Sequence, residues 1–339
     1  MKRLCTLTLM FCCLFSSHAI TTSDYETQFK KTIFPYFLNS TSEGNFIGVD
    51  GVNIYFRKKD SEEQKRCLVI LPGRSEPILK YAEVFYDLEK ALDEAKSPHH
   101  IFLMDHRGQG LSGRETSNSE TGYVKKFDHY VQDLRIFVET IVKPTRCLGV
   151  SIVAHSMGAG ITLAYSQLYP DTFDRLVFSS PMLKIKTDPY PYLVARSIVQ
   201  AQVLAGNGKN FAPGQGNHNP NAKFEENRFT TSPERFKMSQ DIFEWYPKAT
   251  LGGVSNNWIY QVMKATNDIR KNYPKVNPPM VVLTAGTELY SEPKEMKELC
   301  QEAMDCEQVH FPTAKHEIFM DRDENRSIAI QKAVEILTK

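Results

Sequence analysis

The sequence predicts an α/β fold, a mostly parallel central sheet flanked by helices, and three observations carry that reading. Short apolar runs of strand length recur along the chain, stretches with helical periodicity separate them, and one apolar run passes through a small-residue turn directly into a helix. Composition agrees. In 339 residues the chain has 41% hydrophobic, 24% charged and 11% aromatic side chains, enough to bury a substantial core and too apolar for disorder. A formal charge of +1 gives no electrostatic case for nucleic acid as a partner.

Taken in order, residues 1–19 read as a signal peptide: Lys2 and Arg3, an apolar run from Leu4 to Phe15, then Ser16-Ser17-His18-Ala19. The run is too short to span a membrane, and its removal would take the formal charge from +1 to −1. The expected destination is periplasmic or secreted. Cys67, Cys147, Cys300 and Cys306 remain after cleavage, and an oxidising compartment allows two disulfides among them. Cys300–Cys306 with Cys67–Cys147 is the favoured pairing, although sequence leaves the connectivity open. A zinc site from Cys300, Cys306, His310 and His316 is a weaker alternative. Asn39 and Asn325 open glycosylation sequons that matter only in a eukaryotic host.

A polar extension (20–44) leads to a hairpin over Asn45–Lys58, turning at Asp50-Gly51. Buried parallel strands are expected at Cys67–Leu71, Ile101–Met104, Gly149–Ala154, Leu176–Phe178, Met280–Leu283 and Glu307–Phe311. Helices are expected at Tyr81–Ala91, His129–Ile141, Gly158–Leu168 and Ile328–Leu337. About a hundred residues separate the sixth and seventh strands, where a crossover needs about a dozen. This insertion (182–277) is rich in aromatics and opens with an apolar helix, Tyr190–Leu204. It reads as a helical lid dividing the core into 45–181 and 278–339.

The chemistry gathers at strand ends. Ala154-His155-Ser156-Met157-Gly158 fits a nucleophile elbow, in which the sharp turn tolerates only small residues two before and two after the serine. A serine hydroxyl needs a base to become nucleophilic and an acid to hold that base. His316, in the loop after the last strand, is the expected base, and Glu288 the expected acid, with Glu292 as rival. Oxyanion donors are expected at the N–H of Met157 and of Arg74, since Gly73 permits close approach and Pro72 has no N–H. The Asp105–Ser112 loop invites a catalytic reading, but its place before the serine favours a structural one, with Asp105 and Arg107 pinning a tight turn.

Gly73-Arg74-Ser75-Glu76 with Lys80-Tyr81-Ala82-Glu83, the Asp105–Ser112 loop, the Ser156 elbow and Lys315-His316-Glu317 together resemble the α/β-hydrolases of the lysophospholipase L2 and monoacylglycerol lipase group, a serine aminopeptidase S33-type family. Phe229–Arg235 and Leu251–Trp258 resemble the lid of its lysophospholipase branch. The resemblance runs from about Asn45 to the C-terminus. It implies a serine esterase acting on lysophospholipid or monoacylglycerol, with Ser156, Glu288 and His316 as triad, Arg74 and Met157 as oxyanion donors, no cofactor or metal, and transient membrane contact through the lid. Pro72-Gly73-Arg74, where monoacylglycerol lipases carry His-Gly and a small residue, favours the lysophospholipase side. A short-chain carboxylesterase, an iminopeptidase and a non-catalytic binding protein are the alternatives.

Overall fold

In a computed structural model, which describes residues 24–339, eight strands form one sheet in the order β1-β2-β4-β3-β5-β6-β7-β8. The strands are β1 Ser42–Ile47, β2 Asn53–Lys59, β3 Arg66–Leu71, β4 His99–Met104, β5 Val150–His155, β6 Arg175–Ser179, β7 Met280–Thr287 and β8 Cys306–Lys315. β1 and β2 pair antiparallel, as does β2 with β4, and every other pairing is parallel. The helices are α1 Tyr25–Gln28, α2 Phe34–Ser40, α3 Ala82–Glu94, α4 Asp128–Phe137, α5 Met157–Leu168, α6 Tyr192–Leu204, α7 Pro233–Trp245, α8 Asn256–Arg270, α9 Pro293–Glu302 and α10 Asp323–Leu337. The signal-like segment 1–19 lies outside the described residues.

Successive side chains on a strand point to opposite faces, and each face has its own core. Val69, Leu71, Phe102, Met104 and Ile152 pack on one side with Leu134 of α4, Leu163 of α5 and Val262 of α8. Leu68, Ile70, Ile101, Leu103 and Val153 pack on the other with Leu88 of α3 and Ala333 of α10. This double burial explains why the central strands read as unbroken apolar runs. The parallel strands all end at one edge, and the crossovers reverse direction between β3 and β5, the kind of switch point where α/β sheets place their sites.

The extension that sequence treats as merely polar is helical. Tyr25, Phe29, Ile33 and Phe37 recur every four residues, are buried, and pack on the α3–α10 side of the sheet. The longest strand segments also run further than their apolar cores: β8 continues to Lys315, one residue short of His316. Both disulfides are present, Cys67–Cys147 closing an 80-residue separation and Cys300–Cys306 one of 6. With their sulfurs bonded to each other, Cys300 and Cys306 are not available to zinc.

Between β6 and β7 the chain makes α6, α7 and α8, which are not equally anchored. Arg235 of α7 is buried and makes a bidentate pair with Glu83 of α3 at 2.7 and 3.0 Å, adding Asp323 at 2.8 Å and the carbonyl of Asp321 at 2.8 Å. Ser232 caps α7, and Ser255 caps α8. In α6 only Val199 is buried; Leu193 is 72% exposed and Leu204 81%. One side of α6 packs on α8, where Tyr192 Oη donates to Met263 O, and the rest of its apolar circumference, legible in sequence, stays exposed. The aromatics do not form one cluster: Trp245 packs on Phe34, Phe243 on His218, and Phe224 on Phe236.

Candidate active site

The turn from β5 to α5 puts Ser156 at φ 46, ψ −107, a conformation that costs a non-glycine residue energy and persists because its surroundings hold it. Its N–H donates to Ser179 O at 2.9 Å, and its carbonyl accepts from Met182 N at 3.0 Å and Gly160 N at 3.1 Å. A Cβ on Gly158 would stand 2.7 Å from the carbonyl oxygens of Leu71 and Pro72. The small residue that sequence reasoning requires two places after the serine is needed because α5 packs directly against the loop after β3.

His316 follows β8 and Glu288 follows β7, so adjacent parallel strands deliver both to the same edge. His316 Nε2 lies 3.0 Å from Ser156 Oγ, and His316 Nδ1 lies 2.7 Å from Glu288 Oε2. The other Glu288 oxygen accepts the backbone N–H groups of Tyr290 at 2.8 Å and Ser291 at 3.1 Å. Burial pushes the Glu288 carboxyl up, but the facing imidazole and these N–H donors outweigh it and leave the pKa below the ordinary glutamate value. Glu292 stands apart from this chain: it precedes α9 and gives its N–H to Lys184 O at 2.9 Å.

The N–H groups of Arg74 and Met157 have no protein acceptor among the described residues. Met157 opens α5, where the first N–H groups of a helix are unpaired. A neighbour of Arg74 holds the loop in shape. Glu76 accepts from Gly73 N, Tyr81 Oη and His155 Nδ1, each at 2.7 Å, and from Lys80 Nζ at 3.0 Å. Lys80 reaches on to Glu317 at 2.7 Å, and His155 Nε2 lies 3.2 Å from the carbonyl of His316. One buried network therefore fastens the Gly73–Arg74 loop, the residue before Ser156 and the residue after His316. Burial pushes Glu76 up, but the facing His155 imidazole and the Lys80 ammonium hold it well below the usual carboxylate range; burial raises Glu317 to about 7 against the pull of Lys80. Sequence reasoning quotes Glu76, Lys80 and Glu317 within motifs yet gives them no task, because partners 79 and 237 residues apart leave no local signal.

Asp105 is structural. Its carboxylate accepts Ile78 N at 2.7 Å and Leu111 N at 2.8 Å, and a Cβ on Gly110 would lie 2.1 Å from it. Arg107 pairs with both oxygens of Asp133 at 2.7 Å. Burial lifts the Asp105 pKa from 3.8 to about 7 despite its N–H donors. A raised carboxyl contributes stability that is complete below the unfolded value and is lost as pH climbs through the folded one. In urea titrations the stability difference between wild type and Asp105→Asn therefore shrinks from about pH 4 to about pH 7, by up to about 4 kcal/mol. A flat or growing difference would contradict this.

Ring packing completes the site. Tyr290 lies 4.9 Å from the His316 ring, and Phe229, from the connection before α7, stacks on Tyr290 at 5.0 Å. Of the aromatics in the β6–β7 connection, Phe229 and Trp258 are tied to site residues, Trp258 through the Arg74 guanidinium 5.7 Å away. A separate cleft of about 510 Å³ among α4, α5 and α8 takes its lining from the far end of α5, including Gln167 and Leu168, and from none of these strand-end loops.

Proteins named as lysophospholipases, lipases and esterases are similar to this chain over half of its length or more. It is 28% identical over 312 residues to lysophospholipase L2 of Escherichia coli K12, covering 89% of each chain. It is 28% identical over 169 residues to a monoacylglycerol lipase of Mycolicibacterium smegmatis, covering 50% of this chain and 56% of that one. The fold matches a carboxyl esterase from Bacillus coagulans with a TM-score of 0.69 at 14% identity, over 88% of this chain and 98% of the other. A monoglyceride lipase from Saccharomyces cerevisiae matches with a TM-score of 0.63 at 18% identity, over 88% and 95%. The profile of the serine aminopeptidase S33 hydrolases matches residues 62–323, and the chain belongs to that family.

Proposed function

We propose that the protein is a serine ester hydrolase of single-chain lipids, a lysophospholipase that releases free fatty acid. The observation that carries this reading is the unbroken hydrogen-bond chain from Ser156 through His316 to Glu288. His316 Nε2 takes the hydroxyl proton as Ser156 Oγ attacks the ester carbonyl. The oxyanion is held by the N–H groups of Arg74 and Met157. Collapse of the tetrahedral intermediate expels the alcohol, which receives the proton from His316. Water then attacks the acyl-enzyme, His316 takes its proton, and the second intermediate collapses to fatty acid and regenerated Ser156. Glu288 holds the Nδ1–H tautomer, so that Nε2 faces serine as an acceptor.

Similarity to lysophospholipase L2 over 89% of both chains supports lysophospholipid as substrate. An iminopeptidase would need an acidic or polar anchor for the substrate amine in the β6–β7 connection; the aromatics there favour an acyl chain, and the buried Glu76 and Glu317 of the site are engaged by His155 and Lys80. Hydrolysis of monoacylglycerol on the same scaffold is the second reading, supported by the Mycolicibacterium relative. The lid we propose is α6, whose exposed Leu193, Val194 and Leu204 suit contact with a lipid surface, while α7 is held by Arg235. Burying an acyl chain at about 0.8 kcal/mol per methylene supplies the binding energy. Export to the periplasm or beyond is proposed from segment 1–19 and is consistent with two disulfides. A secreted form beginning at Ile20 checks it.

Fatty acid release from lysophospholipids, monoacylglycerols, short-chain p-nitrophenyl esters and prolyl anilides of matched concentration tests the assignment. Turnover of lysophospholipid above the rest is expected; turnover of the anilide alone would overthrow it.

A further inference from the structure

We propose that the side chains of Arg74 and Arg228 form a site for the phosphodiester of a single-chain phospholipid at the mouth of the Ser156 site. The two arginines would thereby distinguish a lysophospholipid from a neutral monoacylglycerol. The proposal deepens the serine-esterase reading above and rests on it.

Arg74 bridges, through its side chain, the loop that adjoins the Ser156 turn and the β6–β7 connection. It follows Gly73, whose N–H is held by the same Glu76 oxygen that binds His155, the residue before Ser156. Its guanidinium reaches away from the sheet toward the β6–β7 connection, giving one N–H to Gly252 O at 2.9 Å and lying 5.7 Å from the Trp258 ring. Its charge is also felt at Tyr290, the ring that packs on His316.

Arg228 approaches from the other side. Asn227 Oδ1 accepts Phe229 N at 2.8 Å, and Phe229 O accepts Glu317 N at 2.8 Å, so the 227–229 turn is clamped onto the loop that carries His316. Phe229 stacks on Tyr290, which sets the exposed Arg228 one residue from the side chain covering that ring. The turn carrying Arg228 and the loop carrying Arg74 are thus both fastened to Glu317, the residue after the base, the first by Phe229 O and the second through Glu76 and Lys80.

Neither arginine has a carboxylate partner among the described residues, although ion pairs abound elsewhere in the chain. Beyond Gly252 O, the remaining Arg74 side-chain donors have no protein acceptor among the described residues. The carboxylates nearest Tyr290 are engaged, Glu288 by His316 and Glu317 by Lys80. The arginine beside the oxyanion loop carries its charge at a cost, for desolvation lowers the Arg74 pKa to about 10 with only Tyr130 and Tyr290 opposing. A guanidinium kept partly out of water without an anion is a donor set prepared for one, and its planar fork matches phosphate oxygens. A lysophospholipid carries that anion on the glycerol bearing the scissile ester, whereas a monoacylglycerol has a hydroxyl there.

The test measures kcat/KM of the intact protein on lysophosphatidylglycerol and on monoacylglycerol with the same acyl chain. Charge-assisted hydrogen bonds of this kind predict that Arg228→Gln and Arg74→Gln each lower the lysophospholipid-to-monoacylglycerol ratio about tenfold. Arg228→Lys is expected to recover part of it. Glycerol 3-phosphate should inhibit wild type competitively, and Arg228→Gln much less. Equal losses on both substrates would show that Arg74 merely clamps Gly252, and would overturn the anion site while leaving the esterase intact. Failure of wild type to hydrolyse either lipid would overturn both. Arg228 is exposed, so a folding defect does not obscure its result.

Discussion

Ser156→Ala is expected to lower turnover of any ester substrate by about 10⁴-fold or more and to abolish covalent labelling by a fluorophosphonate. The magnitude follows from the geometry, because Ser156 Oγ is the atom that His316 Nε2 faces at 3.0 Å, and an alanine leaves the base nothing to deprotonate but water. Residual activity would come from oxyanion donors and substrate binding alone. The same position tests whether the backbone is under strain. At φ 46 a side chain is penalised and glycine is not, so Ser156→Gly should be as inactive as Ser156→Ala yet more stable by about 1 kcal/mol. Labelling that persists in Ser156→Ala would place the nucleophile elsewhere, and equal melting temperatures would remove the strain argument.

Glu288→Gln is expected to cost about 10⁴-fold in kcat, and Glu292→Gln less than about twofold. The reason lies in the number of oxygens. Glu288 uses Oε1 for the N–H groups of Tyr290 and Ser291, and Oε2 for His316 Nδ1. Glutamine has one oxygen, which the two backbone donors claim, so its amide NH₂ turns toward the imidazole. The imidazole must then accept at Nδ1 and carry its proton on Nε2, the wrong tautomer for taking a proton from Ser156. Glu292 makes no contact with the imidazole; its N–H goes to Lys184 O. Near-normal kcat in Glu288→Gln, with a large loss in Glu292→Gln, would reverse the assignment.

Much of the fold is legible from periodicity. Strands such as Cys67–Leu71 announce themselves because both faces are covered, so no polar alternation interrupts them. α1 and α2 are overlooked although their four-residue spacing is present, since their surface is charged and their core partners lie in α3, far along the chain. α6 misleads in the opposite sense: apolar residues mark a helix correctly but do not say how much of it is covered, and here α8 covers one side only.

At the site, sequence by itself narrows the candidate nucleophile to Ser156 and the candidate base to His316, because an elbow demands small residues at fixed offsets and a late strand-end histidine is rare. It determines the local chemistry: which atoms could react, and in what order along the chain. It leaves Glu288 against Glu292 open, since both follow the same strand within reach of a loop. Only the tertiary structure brings Glu288 to 2.7 Å from the imidazole, joins Glu76 to His155 and Lys80 to Glu317, and leaves Arg74 without a counter-ion. Those relations depend on distances between segments that parallel strand pairing makes adjacent, and sequence separation carries no information about them.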